Sequence, residues 1–380
     1  MVSTADAQAA PRSASNLPHS AKPAESDDFS IELSGRIQAD AAFFDEDRTP
    51  LGNAQEARRV RLKAEGAIYT NWLYVLELDF ESSASLGYAE IAYAGFKDVR
   101  VSLGYLKAPF SLDNQTSSSY TIFQERSLLH DTFDPPKRIG ASVEADKEWG
   151  GGFTAAIGVF GQTIPGDTKP DGDSGEGVVG RATYAFVHAD TRLLHVGSSA
   201  EWRNPGDGET VQLRARPDAH LAPRLVDTGA IPEVHDDVKL GAEFAGVAGP
   251  LSVQGEYTTE QVNRQTGARL NFAGWYAQAG YFLTDDSRAA TYADGVFGRV
   301  DPHGRYGAWQ LALRYDAVNL NDADFVGGEE ANLTAGLNWY ANRFLRMSMN
   351  YVEVLKLHRP GSPHDGDRPD MLVARVWLNF

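Results

Sequence analysis

Apolar and polar residues alternate along most of this chain, and the last nine residues, 372–380, show the pattern most clearly. Leu372, Val376 and Phe380 fall on one face of an extended strand, because successive side chains of a strand point to opposite sides. Arg375 and Asn379 fall on the other face. A strand that is apolar on one face up to a terminal aromatic residue is typical of an outer-membrane β-barrel, in which that face meets lipid.

The same alternation predicts sixteen strands, and an even number is what bacterial barrels of this type have. The predicted strands cover residues 29–44, 57–69, 72–80, 86–97, 99–107, 138–146, 152–161, 177–188, 192–203, 236–247, 251–261, 272–284, 307–319, 330–341, 343–357 and 371–380. A further alternating piece, 209–216, is assigned to a long loop, because an odd count would leave the C-terminus at the wrong end. The predicted fold class is all-β: one transmembrane antiparallel β-barrel of about 16 strands over residues 29–380.

Turn signals divide the connections between strands into two groups. Short turns near residues 71, 98, 249–250 and 341–342 are assigned to the periplasmic end, and the long connections 108–137, 162–176, 204–235 and 358–370 to the outer end. The long connection 285–306 falls at the periplasmic end, where a short turn is expected. The third loop, 108–136, is far longer than a hairpin turn needs, so we predict that it folds into the barrel.

Composition narrows the class of protein further. The chain has no Cys, which excludes disulfides, thiol catalysis and Cys-based zinc sites. It has no run of about 20 apolar residues, so no helix is expected to span a bilayer. Its net charge of -17 argues against nucleic acid as a partner. Residues 1–28 are rich in Ala, Ser and Pro and lack the apolar core of an export signal, so we expect a disordered lead-in from a trimmed or processed export region.

Enzymatic function is not expected. The sequence contains no G-x-S-x-G elbow, no phosphate-binding P-loop and no H-E-x-x-H motif. Histidines with acidic neighbours, such as His130 beside Asp131, have no marked nucleophilic serine next to them. We therefore expect no catalytic residues, no cofactor and no metal site.

Four stretches, in order along the chain, resemble the phosphate-selective porin O/P family. Residues 104–127, G-Y-L-K-A-P-F-S-L-D-N-Q-T-S-S-S-Y-T-I-F-Q-E-R-S, resemble the start of its third loop, and residues 58–62 resemble its double-arginine strand. Residues 214–229 resemble its fifth loop, and residues 274–310 its C-terminal third. The resemblance covers residues 29–380. It implies a trimeric, sixteen-stranded channel in the outer membrane of a Gram-negative bacterium, with the third loop folded inward to narrow the pore.

Charged residues in the lumen are the candidates for solute selection, because a diffusion channel selects by rings of charge and by width. Strand alternation predicts that four cations point inward: Arg36, Arg59, Arg61 and Lys63. Arg58 has the opposite parity and is expected at the rim. One alternative is that the lumen cations only pair with carboxylates of neighbouring strands, such as Glu32, Glu65, Glu77, Asp79 and Glu90.

The resemblance implies a second set of candidates and a role for them. Arg214 and Arg216, with Arg224 as a weaker companion, descend from the fifth loop, and together with Arg59 they are expected to form a ladder that guides anions inward. Lys107 and Arg126 are expected near the narrowest region of the third loop. Ser119 stands where phosphate-specific members of the family carry a lysine, and a hydroxyl brings no charge, so any anion preference is expected to be modest.

The sequence thus predicts a porin that passes small anionic solutes such as phosphate by passive diffusion. The expected partners are two further copies of the chain in a homotrimer, together with outer-membrane lipid and lipopolysaccharide. Two alternatives stay open. One is a general, weakly selective porin whose acidic excess favours cations. The other is a surface barrel with mainly a binding or structural role, its pore sealed by the third loop.

Overall fold

The computed structural model describes residues 29–145, 152–163, 175–206 and 210–380. Residues 1–28, for which a disordered lead-in was predicted, lie outside the described residues. None of the helices in the described ranges has the length and the apolar character that crossing a bilayer requires.

Sixteen long strands form the frame of the molecule, and we number them β1 to β16 in chain order. Their bounds are Glu32–Asp45, Ala54–Ile68, Trp72–Asp79, Ser85–Phe96, Val99–Leu106, Arg138–Ala145, Phe153–Phe160, Glu176–Ala189, Arg192–Asn204, Val234–Ala248, Leu251–Arg264, Leu270–Phe282, Ala308–Asp322, Phe325–Tyr340, Leu345–His358 and Asp370–Asn379. Each pairs antiparallel with its neighbours in sequence, and β1 pairs with β16, so the sheet closes into one barrel. The predicted all-β barrel of sixteen strands is confirmed.

The alternation of side chains separates the two faces of the barrel. On β16, Val376, Leu378 and the terminal Phe380 are exposed on the outer face, whereas Arg375 and Trp377 are buried inside. The other strands follow the same rule, with apolar side chains outside and most of the buried polar ones inside. This arrangement suits a barrel in lipid, because the outer face needs apolar contact and the strands leave no unpaired edge.

Barrel closure brings the end of the chain against the first strand. The backbone N–H of Gly35 donates to the carbonyl oxygen of Phe380 (2.9 Å), and the N–H of Phe380 donates back to Gly35 (3.0 Å). A Cβ atom at residue 35 would lie 2.5 Å from the Phe380 ring and 2.8 Å from the carbonyl oxygen of Arg61. Glycine at this position therefore leaves room for the terminal ring beside β1.

The connections differ in length as predicted. One long connection lies at the end of the barrel that carries the short turns near residues 71, 98, 249–250 and 341–342, which we call the short-turn end. Residues 283–307, between β12 and β13, leave from that end and include a 3₁₀ turn, Ala289–Thr291, and a small hairpin that pairs Tyr292 with Phe297. Tyr292, Val296 and Phe297 are buried together with side chains of the barrel interior, including Leu193. The unusual length of this connection is explained by that packing, because it supplies apolar side chains that no short turn could supply.

The third and fifth loops also pack against side chains of the barrel strands. The third loop carries two short helices, α1 at Leu112–Gln115 and α2 at Leu128–Phe133. In the fifth loop Arg214–Ala215 pairs with Val226–Asp227 as a separate two-stranded piece, which agrees with leaving 209–216 out of the barrel, although 207–209 lie outside the described residues. Apolar side chains of both loops, including Phe133 and Leu225, form one buried cluster with side chains of the barrel strands.

Candidate pore and its charged lining

A cavity of about 1020 Å³ lies between the third loop and the inner faces of β1 to β4. Its wall includes Arg36 on β1, Arg61 on β2 and Glu77 on β3. Segment 286–303 and the C-terminal residues 379–380 line it as well, so the cavity extends to the short-turn end of the barrel. Seven of the ten predicted pathway residues line this cavity: Arg36, Arg59, Arg61, Lys63, Lys107, Ser119 and Arg126.

The cavity wall carries more positive than negative side chains. Nine are Lys or Arg: Arg36, Arg59, Arg61, Lys63, Lys107, Arg126, Lys137, Arg299 and Arg343. Seven are Asp or Glu: Glu32, Glu65, Glu77, Asp131, Asp134, Asp286 and Asp301. The local balance is therefore opposite in sign to the net charge of the chain, which is -17.

Three of the strand cations are held by carboxylates of β2 and β3. Arg36 Nη2 lies 2.9 Å from Glu77 Oε2, and Arg61 lies 3.1 Å from Glu77 and 2.5 Å from Asp79. Lys63 Nζ lies 2.8 Å from Glu65. All three cations thus pair with carboxylates, which was the alternative to a ladder, but only Arg61 does so across neighbouring strands. Their charges are largely offset by the carboxylates beside them.

Lys107 and Arg126, at the two ends of the first part of the third loop, are held differently. Lys107 Nζ donates to the carbonyl oxygen of Asn114 (2.7 Å), while Arg126 donates to the carbonyl oxygens of Asp113 (2.9 Å) and Thr116 (2.7 Å). Among the described residues no carboxylate lies within 4 Å of either cation. Burial, and then the nearby charges of Arg126 and Lys137, lower the pKa of Lys107 well below its usual value. An anion in the cavity would relieve that crowding.

The far end of the third loop adds two groups that titrate near neutral pH. Lys137 donates to the carbonyl oxygen of Gly87, and burial together with the charge of Arg61 lowers the pKa of Lys137 to about 8. Burial raises the pKa of Asp134 to about 7. Asp134 accepts a hydrogen bond from Ser111 Oγ (2.7 Å) and also contacts His130.

The double arginine of β2 does not behave as strand parity predicts. In the β1–β2 ladder Gln38 faces Arg59 and Ala39 faces Ala57, so Arg58 is an extra residue in a β-bulge. The bulge turns the side chain of Arg58 to the same side as that of Arg59, because it shifts the parity of the strand by one residue. The prediction that Arg58 has the opposite parity to Arg59 was therefore wrong.

Glu125 of the third loop is the common partner of this region. Arg58 holds it with two hydrogen bonds, from Nε (2.9 Å) and Nη2 (3.0 Å), and Arg59 Nη2 lies 3.9 Å away. Arg375 of β16 contacts Glu125 as well and also binds Asp40, with Nε 2.5 Å from Oδ1. Burial alone would raise the pKa of Glu125, but the three arginines hold it well below the usual value.

Other lumen arginines fasten the third loop by its backbone. Arg346 of β15 donates to the carbonyl oxygen of Thr121 (2.7 Å), and Arg314 of β13 donates to that of Glu125 (3.0 Å). The backbone N–H of Leu128 donates to Asp316 of β13 (2.8 Å). At the start of the loop, the N–H groups of Leu112 and Asp113 both donate to Glu256 of β11. The loop is thus tied to lumen-facing side chains from β11 round to β16.

The three fifth-loop arginines are not on the cavity wall. Two of them meet at Asp131 of α2, which does line the cavity. The backbone N–H of Arg216 donates to Asp131 Oδ2 (2.9 Å), and Arg224 Nη1 lies 3.2 Å from the same oxygen. The Arg216 side chain donates to the carbonyl oxygen of Ala222 (3.0 Å), and Arg214 is exposed. Burial, with the charges of Arg216 and Arg214, lowers the pKa of Arg224.

Ser119 lies beside Arg36 rather than alone. Arg36 Nη1 donates to Ser118 Oγ (3.0 Å) and to Ser119 Oγ (3.2 Å). The serine run therefore brings hydroxyl groups to the cavity next to a cation that Glu77 already pairs. This position adds hydrogen-bonding capacity and no charge to the cavity wall.

Several residues that shape the cavity were missed from the sequence. Lys137 follows Pro135 and Pro136, and its position directly before β6 was a signal that it would sit where the third loop re-enters the barrel. Glu125 stands next to Arg126 in the quoted motif, but nothing in the pattern indicates that three arginines surround it. Arg299 and Arg343 come from connections at the short-turn end, where no pore residue was predicted.

Comparison with known proteins identifies the family of the chain. The family model described as phosphate-selective porin O and P matches residues 31–380. The chain is 34% identical to an uncharacterized protein of Caulobacter vibrioides, over 93% of this chain and 75% of that relative. It is 27% identical to Porin O of Pseudomonas aeruginosa, over 93% of this chain and 89% of that protein.

Solved structures resemble the barrel at much lower sequence identity. An anion-selective porin from Comamonas acidovorans matches with a TM-score of 0.58 and 14% identity, covering 93% of this chain and 100% of that one. The trimer form of OmpT from Vibrio cholerae matches with a TM-score of 0.57 and 11% identity, over 93% and 100%. At these identities the likeness concerns the fold.

Proposed function

Since this chain belongs to the phosphate-selective porin O and P family, and is therefore an outer-membrane porin and not an enzyme, we propose that its channel passes small anions such as phosphate in preference to cations. The route follows the cavity along β1 to β4, and the third loop, fastened to β11 through β16, forms the constriction. Such a route leaves the pore off-centre, against the wall that carries Arg36, Arg61 and Lys63.

The observation that carries the proposal is the pair Lys107 and Arg126. Both line the cavity, and both are fixed by backbone carbonyl oxygens of the third loop. A carbonyl orients a cation without cancelling its charge, whereas a carboxylate does both. A passing anion therefore finds charge at these two side chains that no neighbouring carboxylate of the described chain has neutralised, and this lowers the cost of leaving bulk water.

Strong binding of phosphate does not follow from this geometry. Ser119 supplies a hydroxyl where phosphate-specific relatives are expected to carry a lysine, and that hydroxyl is engaged by Arg36. Arg59, Arg214, Arg216 and Arg224 extend the positive region toward the outer end, yet Glu125 and Asp131 sit among them. We propose a channel with a modest anion preference, in which phosphate is one solute among several.

The assembly we propose is a homotrimer in a membrane of lipid and lipopolysaccharide. Its support is the family, together with the likeness in fold to a porin described in a trimer form. Chemical cross-linking of the protein in its native membrane should give a ladder that ends at three copies. A ladder that ends at one copy would contradict the trimer and leave the channel proposal standing.

The selectivity is tested by the reversal potential of single channels in a planar bilayer with a potassium chloride gradient. The wild type should reverse on the anion side. Lys107→Gln and Arg126→Gln should each lower the anion-to-cation permeability ratio by about two- to threefold, as expected for the loss of one charge at roughly 7 Å from the ion path in water.

The matched controls keep charge and change shape. Lys107→Arg and Arg126→Lys should retain the wild-type ratio, because each preserves a cation on the third loop. A wild-type reversal potential on the cation side would overturn the proposal. It would promote the general, cation-preferring porin, which is favoured by the pairing of Glu77 with three of the cavity cations. A barrel without measurable conductance would promote the sealed, structural reading instead.

A further inference from the structure

Glu125 occupies an unusual position for a carboxylate in a channel built for anions. It lies on the third loop, with its side chain 17% exposed, and three arginines from two strands surround it. Resting on the anion preference proposed above, we infer that Glu125 sets the strength of that preference, because it neutralises the double arginine of β2 where Arg59 reaches the cavity.

Arg58 and Arg59 contact Glu125 in different ways. Arg58 forms the two-pronged hydrogen bond to Glu125, with distances of 2.9 and 3.0 Å, which is the strong geometry for a guanidinium and a carboxylate. Arg59 lies 3.9 Å from Glu125 and donates instead to Gln38 Oε1 (2.7 Å). Arg59 also lines the cavity, whereas Arg58 does not. Glu125 thus reduces the field of an arginine that the solute meets.

The β-bulge at Arg58 is what makes this neutralisation possible. Without the extra residue, Arg58 and Arg59 would point to opposite faces of β2, and Glu125 would meet one of them. The bulge brings both guanidinium groups to one side, where a single carboxylate serves both. A strand that gathers two arginines inside a barrel creates a region of high positive potential, and the third loop carries the charge that moderates it.

Lys107 and Arg126 are held differently from the arginines around Glu125. Backbone carbonyl groups hold those cations, and no carboxylate of the described residues pairs with them. Arg58, Arg59 and Arg375 face Glu125, and Asp40 offsets Arg375 further. Removing the charge of Glu125 leaves the surrounding arginines with one carboxylate fewer. Anion preference should therefore increase in a variant that lacks this charge, which is the opposite of what loss of a pore residue usually brings.

Two variants separate the charge of Glu125 from its role as an anchor of the loop. Glu125→Gln keeps the size of the side chain and removes the charge. Glu125→Asp keeps the charge and shortens the side chain, so the two-pronged contact with Arg58 is lost. In planar bilayers with a potassium chloride gradient, Glu125→Gln should raise the anion-to-cation permeability ratio by about two- to threefold. Glu125→Asp should keep the wild-type ratio even if its conductance changes.

A compensating variant and a matched control sharpen the test. Adding Arg58→Gln to Glu125→Gln restores the charge balance of the cluster and should return the ratio to the wild-type value. Glu243 of β10 is the control, because it is buried, pairs with Arg181 at 2.6 Å and does not line the cavity. Glu243→Gln should leave the reversal potential unchanged. Trimer assembly and heat-modifiable gel migration establish that each variant is folded.

The results for the Glu125 variants test this inference separately from the proposed anion preference, which the wild-type reversal potential tests. If the wild type reverses on the cation side, the proposed function fails, while the direction of the Glu125→Gln shift still tests the inference. An unchanged ratio in folded Glu125→Gln would overturn it. A change shared equally by Glu125→Gln and Glu125→Asp would also overturn it, because loop anchoring and not charge would then be the cause. A shift toward anions in Glu125→Gln alone supports it.

Discussion

Lys107 and Lys137 mark the two ends of the third loop, and a backbone carbonyl holds each of them on the cavity wall. Their pKa values are lowered by burial and by neighbouring cations, to about 8 in the case of Lys137. Asp134 lies on the same wall with its pKa raised by burial to about 7. At the residue scale, the cavity therefore contains groups whose charge changes within the range of ordinary growth media.

Raising the pH should weaken the anion preference. Lys137 is protonated below pH 8 and neutral above it, while Asp134 is neutral below pH 7 and negative above it. Both changes make the cavity less positive. The anion-to-cation permeability ratio should fall between about pH 6 and about pH 9, most steeply between the two pKa values.

A double variant identifies the groups responsible for this pH dependence. Lys137→Arg keeps a cation that does not titrate in this range, and Asp134→Asn keeps the size of a side chain that cannot ionise. Reversal potentials of the double variant should change much less with pH than those of the wild type. An undiminished pH dependence would assign the effect to other groups of the pore.

At the scale of the element, β2 shows how one inserted residue changes the chemistry of a strand. The bulge at Arg58 breaks the alternation of β2, and the residues on its two sides are shifted by one position against β1. The strand therefore presents two consecutive arginines to the interior. Bulges are common where a strand must aim a particular side chain, and this one aims Arg58 at the third loop.

Strands of this barrel are readable from sequence because lipid imposes a strict rule on every second residue. All sixteen strands were predicted, including the last one, where Arg375 and Val376 point to opposite faces. The bulge was not, because a single extra residue leaves no periodic signal. The partners of Glu125 could not be predicted from the sequence either. A loop has no periodic pattern, and its contacts with β2 and β16 form only in the closed barrel.

Gly35 gives a test of barrel closure at this scale. Gly35→Ala would place a Cβ atom 2.8 Å from the carbonyl oxygen of Arg61 and 2.5 Å from the Phe380 ring. The ring can move, but the backbone oxygen of β2 cannot move without distorting the ladder. We expect a loss of about 1–3 kcal/mol of stability, as for other overpacked positions, with a lower thermal unfolding midpoint in detergent.

Gly180 of β8 is the matched control for this substitution. A Cβ atom there would lie 3.5 Å from the carbonyl oxygen of Ala156, which is ordinary contact. Gly180→Ala should therefore unfold at nearly the temperature of the wild type. Equal midpoints for the two variants would show that the contact between Phe380 and β1 does not limit closure.

At the scale of the whole molecule, the net charge of the chain and the charge of the cavity wall have opposite effects on a passing ion. The chain carries a net charge of -17, while the cavity wall carries nine basic and seven acidic side chains. Distance decides between them, because mobile ions screen exposed charges beyond the Debye length. Rim carboxylates such as Asp324, 61% exposed and paired with Arg264, lie in open solvent and are screened well. Cavity side chains lie along the route of the ion.

The dependence of selectivity on salt should reveal this competition. The Debye length is about 30 Å at 0.01 M and about 10 Å at 0.1 M. At the lower concentration the acidic surface reaches the ion path and should offset part of the local positive field, whereas at the higher one only the cavity charges remain effective. The anion-to-cation permeability ratio should therefore rise from 0.01 to 0.1 M. It should fall again near 1 M, where the Debye length of about 3 Å weakens the effect of the cavity charges too.

Replacing the exposed Glu46 and Asp324 by Gln and Asn should raise the permeability ratio at low salt and leave it unchanged at 0.1 M. A ratio that falls steadily with salt in the wild type would mean that the acidic surface does not act on the pore at any concentration.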